Sequence, residues 1–224
     1  KEIKTMTVVL VLATFLVFIL LDWALNRKKA VQTVAASPAV APGMAYVEGF
    51  LVPEQLSYHP GHGWTMRERR NMVRVGVDEF AAALIGKAEK IELPKPGQWI
   101  RQGQKTWGFY RNGEKTEMVS PTEGEVVEIN SEVLRNPSLL RTDPYGKGWL
   151  VALHVPDEEN TGRNMVPKSM VRNWMRESVE RLYARQPRLA GAVAADGGRP
   201  ADDLLAGMPD LNWKETTAEF FLTA

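Results

Sequence analysis

The stretch Trp107–Asn130 reads WGFYRNGEKTEMVSPTEGEVVEIN, and it decides the fold class. An aromatic run at 107–110 and a return run at 116–119 flank the dipeptide Asn112-Gly113. This dipeptide favours a two-residue type I′ turn, because both central positions of that turn need a positive φ. A proline and a glycine then mark a corner before a strand rich in valine and isoleucine at 125–129. The stretch predicts a β-hairpin with its tip at Arg111–Glu114, followed by a third strand.

The flanking sequence continues this β pattern and adds a short helix. A second hairpin is predicted at 65–77, where apolar and polar residues alternate, and a last core strand at Trp149–Val155. A first strand is predicted at Tyr46–Val52. Asp78 is a good helix N-cap for Glu79–Ile85, and Gly86 is a good stop. The predicted fold class is therefore mainly β with short helices.

Short motifs follow one another in a characteristic order across Tyr58–Pro156. They are Gly76–Ala81, Leu84–Gly86, Leu93-Pro94, Gly97, Gly103, Pro121, Gly124–Val127, Asn130, Pro137, Asp143–Gly146 and Gly148-Trp149. In this order the motifs resemble the H protein of the glycine cleavage system, a small lipoyl carrier of the biotinyl/lipoyl-domain class. The resemblance implies a barrel-sandwich hybrid fold.

The same resemblance implies a lipoyl group on a lysine at the hairpin tip, eight residues before the proline that matches Pro121. The residue at that position is Gly113, which has no side chain to modify. The nearest amine is that of Lys115, two residues later on the returning strand. We therefore expect a domain without a cofactor, and lipoylation of Lys115 is the alternative.

The N-terminal sequence predicts a membrane anchor. Thr5–Leu25 holds one charged residue, Asp22, and as a helix it would span about 30 Å, the thickness of a bilayer core. A cleaved signal peptide is the competing interpretation. The basic cluster Arg27–Lys29 outweighs Lys1 and Lys4, which favours a single-pass protein of the inner (cytoplasmic) membrane with its soluble domain in the cytoplasm.

The predicted organisation has four parts. These are an anchor at 1–29, a flexible linker at 30–44, the β-domain at 45–156 and a helical C-terminal extension at 157–224. In the extension, Trp174, Met175 and Tyr183 belong to an apolar stripe with helical spacing. The sequence leaves open whether this stripe packs on the β-domain or forms a partner-binding face. The apolar segment Trp213–Leu222 is expected to be docked.

Several function classes are disfavoured. The net charge of +1 gives no reason to expect nucleic-acid binding, and the absence of cysteine excludes thiolate sites. His59 and His62 are separated by a Pro-Gly turn and have no third metal ligand nearby in the sequence, so no metal site is predicted. No nucleophile–base pair or phosphate-binding glycine loop is present either, so we expect neither an enzyme nor a small-molecule substrate.

The leading hypothesis from the sequence is a membrane-anchored, non-lipoylated scaffold or accessory subunit of a membrane protein complex. Analogy at the level of the fold suggests a redox or energy-converting complex as the host. Its expected partners are the lipid bilayer and other subunits of that complex. The alternative is a lipoyl carrier modified at Lys115, serving a membrane-associated dehydrogenase or glycine-cleaving system. A third option is an adaptor for a lipoate ligase or sulfur-transfer enzyme. The predicted partner-binding residues are Arg111, Asn112, Gly113, Trp174, Met175 and Tyr183.

Overall fold

The computed structural model describes residues 43–155, 162–185 and 200–224. These residues all belong to the compact unit Pro42–Ala224. The predicted anchor Thr5–Leu25 and nearly all of the predicted linker lie outside the described residues. The localisation that was inferred from them stays a prediction.

Strands dominate the first part of the described chain. They are β1 (Met44–Val47), β2 (Phe50–Pro53), β3 (Ser57–Tyr58), β4 (Gly63–Arg69), β5 (Met72–Val77), β6 (Lys90–Glu92), β7 (Trp99–Ile100), β8 (Lys105–Arg111), β9 (Glu114–Val119), β10 (Gly124–Ile129) and β11 (Val151–His154). One sheet has the order β3-β4-β5-β11-β10-β7, and a second has the order β6-β8-β9. β1 and β2 form a separate hairpin.

Short helices connect and cover the sheets. They are α1 (Glu79–Ile85), α2 (Ser131–Arg135), α3 (Leu139–Thr142), α4 (Val171–Ala184) and α5 (Trp213–Phe220), with 3-10 turns at Lys168–Met170 and Leu205–Gly207. The predicted capping of the first helix is confirmed, because Asp78 Oδ1 accepts a hydrogen bond from Ala81 N at 2.7 Å. The predicted single strand at Tyr46–Val52 was wrong. The chain reverses at Glu48 and Gly49, whose φ angles of 49° and 84° place both in the left-handed region.

One continuous core joins the sheets and the helices. It contains Trp64, Phe80, Trp107 and Phe109 from the β-domain together with side chains of α4 and α5. The apolar residues of the two C-terminal helices thus contribute to the same core as the strands. Burial of this apolar surface, at about 25 cal/mol per Å², is the main force that holds the extension on the β-domain.

The predicted fold class needs a correction. In the ranges 43–155, 162–185 and 200–224, no helix has the length and apolar content that a bilayer crossing requires. A spanning helix needs about 20 apolar residues, whereas α4 has 14, with arginine and glutamate among them. The described part of the C-terminal extension is only partly helical, because Gly207 and Pro209 interrupt it before α5. The described architecture is mainly β sheet with short helices.

Candidate functional site

The hairpin of β8 and β9 has the tip that the sequence predicts. Arg111 pairs with Glu114 across the two strands, so Asn112 and Gly113 form the turn. Their φ angles are 51° and 78°, as a type I′ turn needs. A Cβ atom built on Gly113 would meet no atom within 4 Å. The tip therefore projects into open space and carries no side chain at this position.

Lys115 lies on the outer face of the β6-β8-β9 sheet rather than at the tip. Its Nζ is 3.0 Å from Glu92 Oε2 and 3.1 Å from Glu117 Oε1. Hydrogen bonds from Lys115 to Glu92 and Glu117 hold the pKa of its amine above the ordinary value. Its stem lies across Gly108, where an added Cβ would be 2.4 Å from Lys115 Cε. The amine is thus kept protonated and directed along the sheet.

Lys115 belongs to a ladder of charged residues on this face. Lys90, Tyr110 and Lys115 stand in one cross-strand row, and Glu92, Gly108 and Glu117 stand in the next. Hydrogen bonds from Lys90 first, and then from Lys115 and Tyr110, lower the pKa of the Glu92 carboxyl to about 2. Carboxylates and ammonium groups therefore alternate here, and Lys115 is one member of a neutralised surface network.

Arg111, at the base of the tip, is held by the C-terminal part of the chain. Its Nη1 is 3.0 Å from Asp203 Oδ1, and the two side chains are 16% and 13% exposed. The backbone N–H of Asn112 donates to Glu89 Oε1 at 3.1 Å. Gly86 makes room for the ion pair, since a Cβ there would be 2.7 Å from Asp203 Cγ. The tip is therefore held by Asp203 through Arg111 and by Glu89 through the backbone of Asn112.

Residues 200–224, which we call the C-terminal strap, cover the inner face of the same hairpin. Thr217 Oγ1 is 2.7 Å from Thr116 Oγ1, and Lys105 Nζ donates to Thr223 O at 2.6 Å. Trp213 Nε1 donates to Leu84 O at 3.2 Å, and Phe220 and Phe221 are buried. The expected docking of Trp213–Leu222 is thus seen, although residue 222 itself is exposed.

The apolar stripe of α4 faces the β-domain of the same chain. Met175 and Leu182 are fully buried, and Tyr183 is partly buried. The ring of Trp174 stacks on His62 with centroids 4.6 Å apart. Of the two alternatives that the sequence left open, the structure shows packing in cis. The side chain of Met175 is fully buried in the core, so it cannot contact a partner.

A buried histidine–aspartate pair lies beneath α4. His62 Nδ1 is 2.8 Å from Asp78 Oδ2, and both side chains are fully buried. Within the described residues, His62 Nε2 has no hydrogen-bond partner. The neighbouring His59 is also buried, and burial, followed by an electrostatic contribution from His62, lowers the pKa of His59 to about 4. The sequence did not predict this pair, because Asp78 was explained by its helix cap and is 16 residues away.

These features define a class of protein: a small β-domain that presents a rigid hairpin, with helices packed behind it. A family model described as Glycine cleavage H-protein matches residues 56–177. The chain belongs to this family.

Two relatives compared by sequence agree with the family match. The chain is 32% identical over 106 residues to the glycine cleavage system H protein of Mycobacterium leprae (strain Br4923), covering 47% of this chain and 80% of that protein. It is 31% identical over 118 residues to the one of Carboxydothermus hydrogenoformans, covering 53% and 90%. A crystal structure of an H protein from Mycobacterium marinum is 26% identical with a TM-score of 0.43, covering 47% of this chain and 87% of that one.

Proposed function

We propose that the chain is a non-catalytic, non-lipoylated member of the family, which acts as a scaffold or accessory subunit of a protein complex. The observation that carries this proposal is the absence of an amine at the hairpin tip. Gly113 stands at the position where the resemblance implies a lysine. A lipoyl arm is linked through an amide bond, and glycine provides no side chain for it.

Lys115 is a poor substitute for that lysine. Acylation requires an unprotonated amine, whereas the two carboxylates beside Lys115 stabilise its charged form. The amine also lies along the sheet instead of projecting from the turn. These contacts favour the scaffold role over that of a lipoyl carrier modified at Lys115.

The exposed tip, Asn112–Glu114, is the proposed docking element. Its backbone is fixed by the turn geometry and by the hydrogen bond from Asn112 N to Glu89. Arg111 is fixed by Asp203. A surface that is already ordered loses little conformational entropy when a partner binds, so rigidity of this kind favours a binding role.

Incubation with a lipoate ligase, ATP and lipoate tests the absence of modification. We expect the intact mass of the native chain to stay unchanged. The matched control is Gly113→Lys, which restores the amine at the open tip and should gain one lipoyl group. A lipoyl adduct on the native chain that disappears in Lys115→Gln would overturn the proposal and support the alternative, a carrier modified at Lys115. That alternative rests on the partial exposure of Lys115, whose side chain is 37% accessible.

Isolation from its native cells tests the scaffold role itself. We expect other subunits to co-purify in a fixed ratio, and we expect Glu114→Arg at the tip to reduce their amount. Lys95→Gln, in the exposed turn before Gly97, is the matched surface control and should leave the ratio unchanged. Recovery of the native chain as a monomer without other subunits would contradict the proposal.

A further inference from the structure

Asn112 and Gly113, the two turn residues of the β8–β9 hairpin, are both exposed. In the part of the chain that the structure describes, neither the side-chain amide of Asn112 nor the backbone N–H of Gly113 has a hydrogen-bond partner. The contact that Asn112 does make runs from its own backbone N–H to Glu89 Oε1. An electrophilic side-chain carbon and the backbone nitrogen that follows it are therefore both unprotected at the tip.

The surroundings of Gly113 leave room for these two groups to meet. A Cβ atom at this position would meet nothing within 4 Å, and glycine has no side chain that would shield its own nitrogen. Ring closure needs a rotation about the backbone of Asn112, and the same open space permits it. Because both groups belong to adjacent residues, the reaction is intramolecular and does not need a second molecule to bring them together.

We propose that Asn112 is a site of spontaneous deamidation, at which the backbone nitrogen of Gly113 displaces ammonia. The bond from Gly113 N to Asn112 Cγ forms, the bond from Cγ to Nδ2 breaks, and the amide proton of Gly113 leaves with Nδ2 as ammonia. Water then opens the resulting succinimide at either of its two carbonyl carbons, which gives aspartate or isoaspartate. The inference does not depend on the proposed function, because the reaction uses only atoms of the tip and water.

Deamidation changes both the charge and the backbone of the tip. Either product adds a carboxylate close to Glu89, whose Oε1 is 3.1 Å from Asn112 N. Isoaspartate also adds one CH₂ group to the main chain, so the turn between the paired residues Arg111 and Glu114 becomes longer. Asn112 is therefore a position at which the exposed tip changes with the age of the molecule.

Incubation of the full chain at pH 8, followed by peptide mapping with mass spectrometry, measures deamidation at each asparagine. Asn71 is the internal reference, because it also lies at a hairpin tip with a positive φ, 57°, but is followed by Met72 instead of glycine. We expect Asn112 to react at least about tenfold faster than Asn71, equivalent to about 1.4 kcal/mol in activation free energy. Aspartate and isoaspartate should appear together, and methyl transfer by an isoaspartyl methyltransferase identifies the isoaspartate.

Gly113→Ala tests the role of the backbone nitrogen. It keeps Asn112 at the tip but adds a Cβ beside the attacking atom, so we expect deamidation to slow at least about tenfold. Lys95→Gln, an exposed substitution outside the hairpin, should leave the rate unchanged. Unfolding of Gly113→Ala would expose Asn112 further and so would oppose the expected slowing. The proposal is overturned if Asn112 reacts no faster than Asn71, if Gly113→Ala reacts as fast as the native chain, or if aspartate forms without isoaspartate.

Discussion

The guanidinium of Arg111 lies 3.0 Å from the carboxylate of Asp203, which joins the hairpin tip to a residue 92 positions later in the chain. Both side chains are largely shielded from water, so this pair is screened less than a surface ion pair. The C-terminal strap is therefore part of the structure that fixes the tip.

Asp203→Asn should lower the free energy of unfolding by about 2 kcal/mol, because it leaves the partly buried guanidinium of Arg111 without a counter-charge. The amide oxygen can still accept the hydrogen bond from Ala206 N, so this contact is preserved. Urea unfolding measures the change. Asp202→Asn is the matched control: Asp202 is 85% exposed and 3.5 Å from Arg141, and its loss should cost less than about 0.5 kcal/mol. Equal effects would contradict a structural role for the Arg111–Asp203 pair.

Alanine should be tolerated at Gly113 and harmful at Gly86. Both glycines have positive φ, 78° and 68°, and alanine at Gly113 costs about 1 kcal/mol in backbone strain. Gly86 also has a ψ of −134°, a combination that is accessible almost only to glycine, so the backbone strain of alanine is larger there. At Gly86 the new Cβ would also meet Asp203 and Arg111, whereas at Gly113 it would meet nothing. We expect the melting temperature to fall clearly further for Gly86→Ala than for Gly113→Ala. Similar melting temperatures for the two variants would contradict the close approach of Asp203 to Gly86.

Trp174→Ala should reduce the free energy of unfolding by about 3 kcal/mol, because it removes the ring that covers His62 and leaves a cavity beneath α4. Trp99, on the short edge strand β7, is 47% exposed and is the matched control. Its replacement by alanine should cost less than about 1 kcal/mol. Chemical denaturation monitored by circular dichroism compares the two, and a smaller effect for Trp174→Ala would argue that α4 is not docked in cis.

Acid should destabilise the fold through His59. Its pKa is about 4 in the folded state and 6.5 when it is exposed, so between these pH values the unfolded chain binds a proton that the folded chain does not. The stability contributed by neutral His59 is complete above pH 6.5 and is lost as the pH falls towards 4. The full loss is about 3 kcal/mol.

His59→Asn isolates this contribution. Its amide oxygen can replace Nδ1 as the acceptor of the hydrogen bond from Gly61 N, but it does not titrate. Urea unfolding at pH 7, 6, 5 and 4 should show a smaller loss of stability for the variant than for the native chain. Parallel pH profiles would exclude His59 as the cause.

Glu92→Gln should make Lys115 more reactive towards a small acylating reagent. The hydrogen bond with Glu92 is the largest cause of the raised pKa of Lys115, so its loss increases the fraction of unprotonated amine. Peptide mapping by mass spectrometry after brief treatment with acetic anhydride measures the change, with Lys95 as the internal reference. An unchanged ratio of Lys115 to Lys95 acetylation would contradict the suppression of Lys115 reactivity by this carboxylate.

The features that the sequence predicted correctly depend on close neighbours along the chain. The Asn112–Gly113 turn and the Asp78 cap arise from residues within a few positions of one another, so their patterns are visible without tertiary information. The β1–β2 turn was missed because Glu48-Gly49 is a weaker turn signal than Asn-Gly.

The order of short motifs assigned the chain to its family, and one glycine within that order led to the central hypothesis. The sequence alone thus determined the hairpin, its tip and the missing amine. Only the tertiary structure decided that Lys115 is clamped between two glutamates, that Asp203 holds Arg111 and that Trp174 covers His62. The partners of Arg111 and His62 are far apart in the sequence, and the clamp on Lys115 depends on the pairing of three strands. Such contacts follow no helical or strand period, so they become defined only when the core brings the elements together.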